Sequence, residues 1–259
     1  MEIGDTHLEQ LRTAKWLLEK PSLAARLADS VGLPLEKGFG MLPEKWSAAI
    51  QKAVNDALMK ALDAAVKSLE GRPANPKSGS FHRVAVAAAG AAGGAFGLAG
   101  LLLELPLSTV LMLRSIADIA REEGEDLTQM ESRLSCLEVF AIGGRQPGDD
   151  AAETGYFAIR AALARSVSEA ARFLAESGAV NRGAPALVRF ITAVSSRFGI
   201  AVSEKAAAMA VPVVGAAGGA MVNSIFISHF QDVARGHFTI RRLERIYGAE
   251  VIQQQYQAI

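Results

Sequence analysis

Cysteine is almost absent from this 259-residue chain, Cys136 being the only one. No intramolecular disulfide can form, which points to a reducing compartment, and the neighbours Leu134, Leu137 and Phe140 mark the thiol as a small core side chain. Net charge is absent as well, with 27 basic residues balancing 27 acidic ones. No global field draws the protein to nucleic acid and no basic run interleaved with aromatics offers a stacking platform, so nucleic acid is not expected as a partner. Strand signals are missing, because apolar residues recur at helical spacing and neither β-branched nor aromatic residues alternate. The opening stretch around Asp5 and Glu9 lacks the basic start and apolar run of a secretory signal, so a cytoplasmic protein is expected. There is no GxSxG elbow or GxxxxGK[ST] loop, and no cofactor is expected.

What is present is helix, and the expected fold class is all-α. Thr6 to Glu9 has the pattern of a capping box for a first helix that ends before Pro21, and Leu23 to Val31 forms a second. Gly32 to Met41 reads as a loop. From Pro43 to Leu69 one stripe carries Trp46, Ile50, Val54, Leu58, Leu62 and Val66, with lysines and aspartates off it. Gly71 to Ser80, with Pro73 and Pro76, reads as a linker. Residues 1–41 are expected to form N-terminal helices and 42–259 a larger helical domain.

Two segments are unusual. Val84 to Leu103 carries no charge and places Gly90, Gly93, Gly94, Gly97 and Gly100 at helical intervals, so one face is nearly bare backbone. Ala206 to Ser228 is also uncharged, and its Gly215 to Ala220 repeats the hexapeptide of Gly90 to Ala95, with Gly215, Gly218 and Gly219 as its glycines. Such faces favour close helix approach, so the helices bearing Gly93 and Gly218 are expected to cross at the centre of the bundle. Between them, Pro106 is expected to end or kink its helix, and Thr128 to Glu131 gives a second capping box for a helix stopping near Gly143. A long helix runs from Asp149 or Asp150 to Ser177, and another from Pro185 toward Phe198.

Both apolar segments are long enough to span a bilayer, which takes about 20 residues. The strongly apolar residues of the first are worth only about −2 to −4 kcal/mol for insertion, and a charged Glu104 at mid-bilayer would cost about 2.5 to 3.5 kcal/mol. Burial in a protein core suits such a helix equally.

Glu104, flanked by Leu103 and Leu105, is costly to bury unpaired. It is a candidate proton carrier, metal ligand or ligand anchor, with a buried ion pair, a helix-end acceptor or an exposed place at the proline as the plainer alternatives. Asn223 holds the corresponding depth in the second segment. His229, Asp232 and His237 follow, and with Glu104 they supply nitrogen and oxygen donors of the kind that bind metal, although no compact ligand motif is present. Arg241, Arg242 and Arg245 with Glu244 and Glu250 read as a solvated charged face.

The run from Asn223 through His229, Asp232, Gly236 and His237 to Tyr247-Gly248 resembles the C-terminal signature of the bacterial EcsC family. Glu104-Leu105-Pro106 through Asp118 to Asp126 is similar to that family's central region, and the resemblance covers roughly Leu42 onward. It implies no catalytic residues. The family takes its name from a protein encoded beside an ABC exporter, so the resemblance implies work at the cytoplasmic membrane face. The expected function is therefore a non-enzymatic helical protein associated with the membrane surface or a membrane transport complex. Binding of a lipid or other apolar ligand, fixed by Glu104, Asn223 or His229, and a metal-dependent hydrolase are the alternatives.

Overall fold

Periodicity without alternation can build only helices, and a computed structural model shows the result. It describes residues 3–20, 22–32, 34–43, 45–69, 97–144, 155–211 and 216–259, among which there are ten helices and no strand. These are α1 (Asp5–Glu19), α2 (Leu23–Val31), α3 (Leu35–Met41), α4 (Trp46–Ser68) and α5 (Gly97–Glu122), then α6 (Met130–Gly143), α7 (Gly155–Ser177), α8 (Pro185–Ala210), α9 (Ala216–Tyr247) and α10 (Ala249–Ala258).

The expected bundle around apolar central helices is present. Alanine-rich α8 lies at its centre, packed against α2, α3, α4, α5, α6, α7 and α9. Pro185 opens it at a position where no backbone donor is needed, and it runs twelve residues beyond the expected end at Phe198. The second uncharged segment is consequently not one rod. Ala206 to Ala210 closes α8 and Ala216 to Ser228 opens α9, with Gly218 and Gly219 in the first turns of α9.

Helix α5 runs from Gly97 to Glu122 with Pro106 inside it, so the proline does not end the helix, the first of the two expected outcomes. The hydroxyls of Ser108 and Thr109 donate to the Leu105 carbonyl beside the proline, at 3.1 and 2.7 Å. Gly90, Gly93, Gly94 and Gly215, the linker at 71–80 and the proposed crossing at Gly93 lie outside the described residues. Helices α5 and α9 do pack together, and in the same direction. Asn223 reaches Glu104, Gln231 reaches Ser115 and Thr239 reaches Glu123, so the pairing advances along both helices together.

Two helix starts differ from their expected caps. Thr6 lies inside α1, whose N-cap is Gly4, and α6 begins after Gln129. Just before α6, Asp126 closes a turn, accepting from the Thr128 amide at 2.9 Å and hydroxyl at 2.7 Å. The expected loop at 32–41 contains α3, and its Gly38 has a packing reason: a side chain there would fall on the carbonyl of Ala207 in α8.

By length and composition two helices among the described residues can cross a membrane, Gly100–Glu122 and Pro185–Ala210. In these, 61% and 50% of the most apolar stretch is buried inside the bundle.

Candidate functional site

Glu104 is indeed buried, and its partner comes from a third helix. Lys205 of α8 places its ammonium 3.2 Å from Glu104 Oε1, and Asn223 of α9 donates its Nδ2 to the same oxygen at 2.9 Å. All three side chains are buried. Burial pulls the Lys205 pKa down and the Glu104 charge pushes back up. The ammonium also lies 5.0 Å from the centroid of the Phe226 ring. This triad ties α5, α8 and α9 at one end of the bundle, and of the plainer alternatives it is the buried ion pair.

The other candidates do not converge on Glu104. His229 donates from Nε2 to the Gly143 carbonyl at 2.8 Å, which fixes the end of α6 against α9. Asp232 faces α1 and α2, pairing with Lys20 and, at 3.6 Å, with Arg26. His237 shares a 3.0 Å hydrogen bond with the Tyr156 hydroxyl, and burial, then the charges of Arg160 and Arg241, holds its pKa well below the usual range. Each side chain is committed to a different helix, so the four donors do not surround a common point. No group of three potential metal ligands occurs among the described residues.

A second polar region had not been expected as a unit. Arg241 makes a bidentate pair with buried Glu125, Nε to Oε1 at 2.8 Å and Nη2 to Oε2 at 3.1 Å. Arg245 joins it, and the Ser132 hydroxyl donates at 3.0 Å. Burial raises the Glu125 pKa but these cationic and hydroxyl partners outweigh it, so the carboxyl titrates below its usual range. Arg160 of α7 is likewise bidentate to Glu244, at 2.8 and 3.0 Å. The arginines of α9 therefore close the bundle through paired contacts instead of forming a merely solvated face.

Between α6, α7, α9 and α10, Arg160, Arg241 and Glu244 border a cleft of about 570 Å³. Glu131, Ala158, Ala161 and Gln253 stand exposed at its rim, while Ser135, Glu138 and Val167 form a buried floor. Burial drives the Glu138 pKa up to about 7 against the pull of Arg241, Ser135 and Arg160. The signal was present in the sequence: Glu131, Ser135 and Glu138 recur at i, i+4 and i+7 along a helix that is buried from Ser132 to Gly143.

The sequence model of the EcsC protein family matches residues 6–243. The chain belongs to the EcsC family. The match takes in α1 and α2, which the sequence resemblance had left out, and it includes both the Glu104 triad and the Glu138 carboxyl. No curated protein and no solved structure matches this EcsC-family chain.

Proposed function

We propose that this EcsC-family protein is a non-enzymatic helical protein that associates reversibly with the cytoplasmic face of the membrane, directly or within a transport complex. The observation behind this reading is on α5. Leu103 is 85% exposed and Leu107 58% exposed, one turn apart on one face of the most apolar helix. The rest of that helix is committed elsewhere, since Leu101, Leu105, Met112 and Ile116 are buried in the core. Met221 at the same end of α9 is also exposed, two residues before the Asn223 that reaches Glu104. Covering a leucine side chain is worth roughly 1.5 to 3 kcal/mol, so two such residues supply a weak, reversible contact and not a permanent anchor.

Flotation of the purified protein with vesicles of phosphatidylethanolamine and phosphatidylglycerol tests the lipid arm. Wild type is expected to float and the Leu103→Glu/Leu107→Glu variant to stay at the bottom. Recovery on native membranes but not on vesicles assigns the contact to a membrane protein partner. A protein that is wholly soluble in cells and binds neither overturns the reading.

A further inference from the structure

The cleft beside Glu138 has a charge inventory that selects its ligand. Its two cationic side chains are already matched, Arg160 by Glu244 and Arg241 by Glu125, each through two hydrogen bonds. An anion entering would have to break one of these bidentate pairs. Among the described residues the carboxyls of Glu131 and Glu138 have no ion-pair partner, and Glu138 is only 6% exposed. Both stand on the same stripe of α6, seven residues apart, which is about 10 Å along a helix axis. Facing them, α7 contributes Ala158, Ala161, Ala164 and Val167, a wall of small apolar side chains that leaves a narrow trough. The volume of about 570 Å³ falls in the range of small-molecule sites.

We propose that this cleft binds a linear aliphatic diamine or polyamine, with one ammonium on Glu138, a second on Glu131, and the methylene chain along the alanine wall of α7. An ammonium at Glu138 gives the buried carboxyl a close cation, which Arg160 and Arg241, each paired with its own glutamate, do not provide. The separation of the two carboxyls favours a chain longer than that of a short diamine. This site is independent of the exposed leucines, which lie on α5.

Calorimetric titration of the full chain with 1,6-diaminohexane, spermidine and hexylamine tests it. Both diamine-type probes are expected to bind saturably and hexylamine more weakly. Glu138→Gln keeps the shape of the side chain and is expected to weaken all three probes roughly ten- to a hundredfold, the worth of one charge-assisted hydrogen bond. Glu131→Gln, at the exposed rim, is expected to bring 1,6-diaminohexane down to the level of hexylamine while leaving hexylamine unchanged. Circular dichroism confirms that each variant is folded. No binding of either diamine-type probe at about millimolar concentration, or binding that survives Glu138→Gln, overturns the proposal. Equal affinities of the diamine and monoamine for wild type do so too.

Discussion

Glu104 of α5 and Lys205 of α8 form an ion pair 3.2 Å long inside the bundle, 101 residues apart in the chain. Removing one partner leaves the other charge in an apolar site, which costs about 3 to 5 kcal/mol, whereas replacing both with apolar residues of similar size is often close to neutral. Glu104→Leu and Lys205→Met are therefore each expected to destabilise strongly, and the double variant to recover most of the loss. Urea unfolding of the four proteins measures this directly. Losses that simply add would mean that the pair is not coupled.

Glu138 gives stability a pH dependence of defined sign. Its folded pKa of about 7 lies above the ordinary 4.5, so the folded protein holds the proton more tightly than the unfolded chain does. This contribution is complete below about pH 4.5 and disappears as the pH rises through about 7. Its full size is about 3 kcal/mol at 1.36 kcal/mol per pKa unit. Burial raises Glu204 to about 7 as well, so the window is shared. Glu138→Gln is expected to flatten the decline in unfolding free energy between pH 5 and 8 on the order of the amount above, and Glu204→Gln to remove a separate part.

Gly236 marks the crossing of α1 and α9. A Cβ there would sit 2.9 Å from the Ala14 carbonyl oxygen and 2.7 Å from Leu18 Cγ. Gly236→Ala is expected to cost about 1 to 3 kcal/mol by overpacking. Hydrogen exchange is expected to show α1 losing protection before the centre of α8, and unchanged protection in α1 would contradict this geometry.

Cys136 lies fully buried, with burial raising its thiol pKa far above the usual range and the Glu125 charge adding to the rise. It is expected to resist thiol reagents in the native protein and to react fully in denaturant. Mass spectrometry after iodoacetamide treatment checks both states.

The helices were legible where one amphipathic stripe decides the structure. Helix α2 occupies the expected Leu23 to Val31, and α4 follows the stripe of Ile50, Val54, Leu58 and Leu62. Helix α3 was not legible, because a glycine that lets α8 approach looks the same in sequence as one that breaks a helix. Pro106 did not end its helix for a related reason: a proline inside a helix removes only one donor, and packing on both sides holds the helix through it. Glu104 stood out as a charge costly to bury unpaired, but its partner Lys205 lies a hundred residues away on a helix whose extent had been underestimated. The cleft was hidden more thoroughly, because its walls come from four helices and its arginines look solvated until Glu125 and Glu244 are placed beside them.

The packing of α1 along α9 has a consequence for biogenesis. Lys15 holds the Tyr256 and Ile259 carbonyls at 2.9 and 2.6 Å, and His7 meets the Tyr247 hydroxyl at 2.8 Å. Helix α1 thus leaves the ribosome about 240 residues ahead of these partners and gains them only once α9 and α10 have been made. Until then its apolar stripe of Leu11, Ala14 and Leu18 is available to chaperones, and a prematurely terminated chain never covers it.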